Sequence, residues 1–403
     1  MSPLTTPTPL RRPRELEPAA PALRVLSADE HLAFLRGRRA WSDAGLGRVS
    51  FLQTPAWGRV KHGWAAESLG WFDESGAPVG AALVLYRMLP GLRRSFAYLP
   101  EGPVIDWSAP DLDRWLAPLL DRLRQAGAFA VRLGPPLAYR RWHAATLKAA
   151  TGPGRKVGDV LPDLVEPLGA AVADRLRNAG WRRCGDDGGA AGDAQPRFVF
   201  EIPLAGRSPE ALWAGLSQEW RRNVRRAARA GVATSLSGPA ELPAFHALLG
   251  VTERRDGFRL GRSLAYYQRQ FEMLNAQERG SMRLYTAAWN DEVLAAHTLL
   301  RSPDGARFWY QTGGSADHRR QVRPSNALQW RMISDAHEEG ASVYDMRGVP
   351  ETLDPDDRPF GLTRWKLGTG GDVVEMLGEW ELPLNGAVNR ALHRAMQGYL
   401  ARR

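Results

Sequence analysis

The chain has 403 residues, 44% of them hydrophobic and 24% charged, the composition of a soluble globular protein with room for two domains. No apolar run approaches the ~18–20 residues of a membrane span, and a single cysteine, Cys184, excludes an internal disulfide framework and a multi-cysteine zinc site. The net charge of +10 fits a polyanionic partner (nucleic acid, an anionic membrane surface or a phosphorylated ligand), or else an arginine-rich background.

In chain order, residues 1–22 read as a Pro-rich, disordered tail without the apolar core of a secretory signal, so a cytoplasmic protein is expected. "FLQTPAWGRVKHGWAAE", from Phe51, interleaves Trp57, Lys61 and Trp64, which suits a phosphorylated or sugar ligand, although Trp57 reads first as a core anchor. "ESLGWFDESGAPVGAALVLYRML" is strand, turn, strand, and "SFAYLPEGPVID", from Ser95, supplies a third strand. "PDLDRWLAPLLDRLRQAG" sets Leu112, Trp115, Leu116, Leu119, Leu120 and Leu123 on one helical stripe, with Asp111 as N-cap and Gly127 as stop. The strand "AFAVRLGPP" leaves that helix from Ala128. Cys184 then sits in "WRRCGDDGGAAGD", which reads as a floppy loop.

"SQEWRRNVRRAARAGV", from Ser217, is the densest basic cluster. Arg221, Arg225 and Arg229 share one helix face, Arg222 and Arg226 form a row beside it, and Gly231 ends the helix. Such a stripe matches a row of phosphates or is a solvated face. "TERRDGF" closes the next helix with Arg254, Arg255 and Asp256, either a surface turn or a grip on an anion.

The first order of elements then recurs. "MRLYTAAWNDEVLAAHTLLRS" is the hairpin, "ARFWYQTGG" the third strand, "SNALQWRMISDAHEEG" the helix from Ser325 to Gly340, and "ASVYDMRGV" the strand after it. Gly127 and Gly340 lie 213 residues apart, and the turn residues Asp73 and Asn290 lie 217 apart. A near-constant offset means two copies of one α/β unit. Last comes "FGLTRWKLGTGG", which reads by itself as a glycine-dense, strand-connecting turn, with Lys366 misplaced for a P-loop.

The eight histidines, His297 among them, show no metal spacing, and no G-x-S-x-G elbow is present. No metal and no cofactor are therefore expected. Acyl transfer from an activated ester needs no covalent nucleophile, only alignment, loss of a proton from the amine and a donor or cation for the oxyanion.

The order of antiparallel strands, helix and strand resembles the GNAT-type acyltransferase fold. Yet "RRQVRPSNALQW", before the second helix, lacks the glycines of a CoA pyrophosphate loop, which disfavours a CoA-dependent N-acyltransferase. Six blocks in order resemble the FemABX family of tRNA-dependent aminoacyltransferases: "FLQTPAWGRVK", "YLPEGPVIDW", "EWRRNVRRAARAGV", "TERRDGF", "RPSNALQWRMISDAHEEGASVYDMRGV" and "DDRPFGLTRWKLGTGGDVVEMLGEWELPL". The resemblance implies an α+β fold of tandem GNAT-like domains with mixed sheets flanked by helices. The first would span 23–198, completed by about 375–403, and the second 199–374.

It also implies transfer of an amino acid (Gly favoured over Ala and Ser) from aminoacyl-tRNA, the co-substrate, to the side-chain amine of the third stem residue of a peptidoglycan precursor. That precursor would be a UDP- or lipid-linked muropeptide, met by a monomer with peripheral contact at the inner membrane face. By position, Lys366 matches the lysine near the reacting ester, after aromatic Trp365; Lys61 and Arg255 match residues that hold phosphates; and Tyr310 lines the same pocket. Arg221, Arg222, Arg225, Arg226 and Arg229 are read here as the tRNA contact. Gly134, where the family often has Asp, and Glu101, where a basic or neutral residue is commoner, are departures that bear on the acceptor. The alternatives are aminoacyl-tRNA-dependent synthesis of a secondary metabolite and a non-catalytic RNA- or head-group-binding module on the same fold.

Overall fold

A computed structural model describes residues 21–185, 192–384 and 386–400. Most of the expected N-terminal tail and the glycine-rich stretch after Cys184 lie outside the described residues. Cys184 itself is buried, with its backbone N–H donating to Glu379 O at 2.8 Å, so its surroundings are a packed edge rather than a floppy loop. Burial pushes its thiol well up, away from a reactive thiolate.

The strands form two sheets. The chain lays down β1 (Ala22–Val25), β2 (Ala65–Phe72), β3 (Pro78–Met88), β4 (Ser95–Leu99) and β5 (Ala128–Leu133) in the first. It crosses to the second sheet for β6 (Ala138–His143) and β7 (Leu164–Val165), and returns for β8 (Arg182–Arg183). The second sheet then takes β9 (Phe198–Pro203), β10 (Ala233–Ser237), β11 (Met282–Trp289), β12 (Glu292–Arg301), β13 (Arg307–Ser315), β14 (Val343–Gly348) and β15 (Asp372–Met376). Strand β16 (Trp380–Pro383) comes back to the first sheet between β5 and β8. Sheet membership therefore does not follow the 23–198 and 199–374 division: β6 pairs with β15 through residues 138–143, because the chain crosses before the expected boundary.

The duplication is visible in the ladders. In each half an antiparallel hairpin is followed by a third antiparallel strand, a helix, and a strand pairing parallel to the third: β4 with β5 across Asp113–Gln125, and β13 with β14 across Pro324–Glu338. The second hairpin turns through Asn290 and Asp291, both at positive φ, as a tight twisted hairpin requires. The first helix begins at Asp113, and Asp111 caps it from one residue further out, its Oδ1 accepting from Asp113 N at 2.9 Å.

Each half has its own apolar core, and a third cluster joins them. In that joint, Phe51 packs edge-on against Trp57 (5.3 Å) and against Trp309 of β13 (5.1 Å). Trp57 is thus the core anchor the sequence suggested, and it fixes the short helix Pro55–Val60 between the halves. Beneath runs a buried charge lattice: Arg48 lies 3.3–3.5 Å from Glu101, Glu201 and Asp345, and Arg307 pairs with the last two. Carboxylates from both halves share these guanidinium groups, so each charge is paired where water cannot reach it.

"FGLTRWKLGTGG" is not a turn. Phe360–Leu367 is a helix, and the glycines cluster only after it, at residues 368–371. A side chain at Gly368 would collide with the Trp220 ring, one at Gly370 with Gly215 O and one at Gly371 with Glu201 O. These glycines permit close packing against protein and do not cradle a phosphate.

Candidate active site

A cleft of about 1170 Å³ opens in the second half, floored by β12–β14 and walled by the Phe360–Leu367 helix and by Phe51–Lys61 from the first half. It gathers Lys61, Arg255, Tyr310, Trp365 and Lys366, which come from four different elements or their ends. Seven arginines and two lysines line it, against Glu219 and Asp256 as the acids. A cleft of this polarity concentrates anions.

Lys366 is 2% exposed. Its Nζ donates to Met346 O and Gly348 O at 2.7 Å, and to Arg347 O at 3.4 Å, all at the end of β14. Three carbonyls suit the three N–H bonds of an ammonium. Burial pulls its pKa down to about 7, with Asp345 holding it up and Arg347 pressing it further down. The carbonyls converge because Arg347 adopts φ 59, held by its N–H to Asp345 Oδ1 (2.7 Å) and its guanidinium to Glu101 (3.1 Å) and Gln195 (3.0 Å). Glu101, read from sequence as a departure near the acceptor, is instead a buried brace from the first half to the lysine's cradle.

Trp365 stacks at 5.0 Å on Trp220, whose Nε1 donates to Trp365 O at 2.8 Å. Lys61 ends the Pro55–Val60 helix over the Trp57 ring at 5.7 Å. Burial lowers its pKa, and Arg262 and Arg87 add to the effect. Among the described residues it has no acidic partner within ion-pair range, so it is a cation without a counterion, facing Arg262. Arg255, on the Leu242–Asp256 helix, is partly engaged: it pairs with Asp256 (2.8 Å) and donates to Ser315 Oγ (3.2 Å). Arg358 donates to Arg255 O and closes that corner.

The arginine helix, Gln218–Ala230, is capped by Ser217 and stopped by Gly231 at φ 79. It turns Glu219 and Asn223 to the cleft and its arginines away, where Gln218, Arg221, Arg222, Arg225 and Arg229 line a separate groove. Arg221 is spent on Ala214 O (2.8 Å) and Leu216 O (2.7 Å), and Arg225 lies over Trp213 at 5.4 Å. Arg222, Arg226 and Arg229 are exposed, with no acidic partner among the described residues. The five arginines therefore do not meet Lys366; they stand on the outer wall of the same helix.

A family model described as the FemAB family matches residues 41–278, and an acetyltransferase (GNAT) domain model matches residues 216–366. The chain belongs to the FemAB family. It is 22% identical to the lipid II:glycine glycyltransferases of Staphylococcus aureus strains USA300 and NCTC 8325, with 83% of this chain and 88% of each relative covered. A crystal structure of FemX superposes with a TM-score of 0.73 at 20% identity, covering 93% of this chain and all of that one. The tandem GNAT-like fold is thereby established for this FemAB-family chain.

Sequence reasoning missed four cleft residues. Arg262 was visible as a basic residue but belonged to no block, and Arg358 was quoted inside "DDRPFGL" without a role. Arg347 was quoted inside "YDMRGV" without a role. His297, in the apolar strand "LAAHTLL", carried no signal, since its partner Gln329, and Tyr344 which holds Gln329, are far along the chain.

Proposed function

We propose that this FemAB-family enzyme builds a peptidoglycan bridge, moving an amino acid from aminoacyl-tRNA to the side-chain amine of the third stem residue of a lipid-linked precursor. Glycine is the favoured amino acid, as in the names of its relatives. The observation that carries the reading is a buried lysine, Lys366, fixed beside an anion-collecting cleft in a chain of this family.

In the reaction the acceptor amine attacks the ester carbonyl. A C–N bond forms, the C–O bond to the tRNA ribose breaks, and the proton lost by the amine ends on the ribose oxygen. Lys366 supplies a fixed positive charge near the developing oxyanion. Lys61 and Arg262, without carboxylate partners among the described residues, suit the diphosphate of the precursor, with Arg255 beside them. Trp365 offers a face for the terminal base, and the outer arginines suit tRNA phosphates. At the cleft mouth, Phe258, Leu260 and Leu362 are exposed among Arg259, Arg262 and Arg358. Apolar tips among cations fit the head-group layer of an anionic membrane, where a lipid-linked substrate lies.

The test is to incubate the protein with a pool of charged tRNAs and either the lipid-linked or the nucleotide-linked precursor, and to read product masses. A mass gain of one glycine on the lipid-linked form is expected. Acylation from a CoA thioester but from no charged tRNA would overturn the proposal.

A further inference from the structure

Lys366 brings charge to the cleft but no free N–H. Its Nζ bonds go to Met346, Arg347 and Gly348 carbonyls, so its three protons are all committed to backbone. A tetrahedral intermediate needs directional donors aimed at the new oxyanion as well as a favourable field. Those donors have to come from elsewhere in the cleft.

Two side chains qualify. His297 on β12 and Tyr310 on β13 both line the cleft, their rings 5.0 Å apart. Neither Nε2 of His297 nor the hydroxyl of Tyr310 has a partner among the described residues, and neither is among the polar atoms sealed from solvent. The two groups converge over Gly313, where any side chain would collide with both His297 Cδ2 and the Tyr310 hydroxyl. The ladder explains why they meet. Strand β13 carries one extra residue, Gln311, between Tyr310 (opposite Leu299) and Thr312 (opposite Thr298). Such a bulge re-aims the side chains beside it.

The protonation of His297 is set by its other nitrogen. Tyr344 donates to Gln329 Oε1 at 2.7 Å, which fixes the amide so that its Nε2 donates to His297 Nδ1 at 3.1 Å. Nδ1 is therefore an acceptor and the ring proton sits on Nε2, toward the cleft. Protonating the ring would set two N–H groups against each other, and burial works in the same direction, lowering the pKa to about 3. His297 stays neutral at any working pH, as a donor whose orientation comes from the core.

We propose that His297 Nε2–H and the Tyr310 hydroxyl are a pair of neutral donors that bind the oxyanion of the transferred acyl group, complementing the field of Lys366. Neither gives up its proton. They hold the carbonyl oxygen while the amine attacks and release it when the ribose oxygen leaves. The pair rests on the acyl-transfer reading above.

The experiment compares the parent protein with Tyr310→Phe, His297→Leu and His297→Gln, measuring transfer rates and binding of adenosine 3′-aminomethylphosphonate, a tetrahedral anion standing in for the glycyl ester intermediate. Tyr310→Phe and His297→Leu should each lower kcat by about 10–100-fold, with KM within about threefold, and weaken the phosphonate in proportion. His297→Gln, whose amide N–H reaches near the Nε2 position, should recover most of the loss. If kcat stays within threefold of the parent, or phosphonate affinity is unchanged while kcat falls, the pair is wrong. Should His297→Leu fail to fold, Tyr310→Phe decides alone, because it removes one unpartnered hydroxyl. A parent that transfers nothing from any charged tRNA sinks the functional reading itself, whereas an active parent with unaffected variants sinks only the pair.

Discussion

Tyr98 and Tyr310 hold the same place in the two halves, the fourth residue of the third strand, each two positions after a phenylalanine. Tyr98 is sealed: its hydroxyl donates to Glu379 at 2.5 Å and accepts from Gln195 Nε2 at 3.2 Å. Tyr310 keeps a hydroxyl without a partner among the described residues, at the cleft. In the first half the neighbouring strand β5 pairs with β16, which comes just after Glu379 and binds Arg132 through Glu381. In the second half β14 is paired in the same way, with β9, but no carboxylate among the described residues reaches the Tyr310 hydroxyl, which faces the cleft that Lys366 also lines. One unit of fold thus appears once with its tyrosine held by a buried carboxylate, once with it facing an open cleft.

The comparison breaks first at Lys366. Lys366→Ala should lower kcat by about 10³-fold in a transfer assay, since it removes the charge nearest the reacting ester. As a cation whose pKa lies at about 7, Lys366 is charged below that pH and neutral above it, so its contribution to rate should fade as pH rises through 7. The residual rate of Lys366→Arg, which stays charged, should lack that alkaline decline; an identical profile would deny Lys366 its role as a cation.

The two tyrosines make the next test. Tyr98→Phe leaves Glu379 buried with one bond fewer and should cost about 1–3 kcal/mol of stability in denaturant melts while transfer continues. Tyr310→Phe should do the reverse, leaving the midpoint nearly unmoved and slowing transfer. If both variants shift the midpoint equally, the contrast between closed and open halves is wrong.

Much of this architecture was legible from local chemistry. Asp73 and Asn290 mark the two hairpin turns, and the leucine stripe from Leu112 to Leu123 marks a helix packed on one face. The Lys366 segment misled, because a glycine wanted for conformation and one wanted for close approach look alike. Gly368 is needed only because Trp220, far along the chain, fills the space beside it. The crossing of β6 and β7 into the second sheet and the pinning of His297 by Gln329 are likewise long-range pairings with no local trace. Lys61, Arg255 and Lys366 came from ordered blocks of resemblance, which carry long-range information that periodicity lacks.

Glu101 tests whether the closed half serves the open one. Burial opposes its ionisation, but Arg48 and Arg347 outweigh that and hold its pKa down to about 2. A carboxylate depressed in the folded state adds stability above its unfolded pKa and loses it as pH falls through the folded one. Glu101→Gln should therefore cost about 1–3 kcal/mol near neutrality, a difference that closes between pH 4.5 and about 2. Transfer should slow only severalfold, because Asp345 and Gln195 still hold Arg347. A stability gap that persists unchanged at acid pH would mean that Glu101 acts through packing and not through its charge.

The smallest effect concerns two helices that carry cations at the borders of the cleft. The buried helix Pro55–Val60 leads one cation, Lys61, into the cleft, whereas the arginine helix Gln218–Ala230 turns Arg221, Arg222, Arg225 and Arg229 to an outer groove. If that groove carries tRNA, each lost phosphate contact should flatten the salt dependence of binding by about 0.7–0.9 in log–log slope. Arg222 and Arg226 are the pair to replace, since Arg221 is bound to backbone carbonyls and Arg225 lies on Trp213. Arg222→Ala with Arg226→Ala should lower the slope by about 1.4–1.8 and leave kcat at saturating tRNA unchanged. Arg221→Ala should instead loosen the turn after Gly215 and lower stability with a smaller change in slope. A double variant whose slope equals the parent's would return the helix to an ordinary solvated face, and the cleft would then have to hold tRNA with its own arginines.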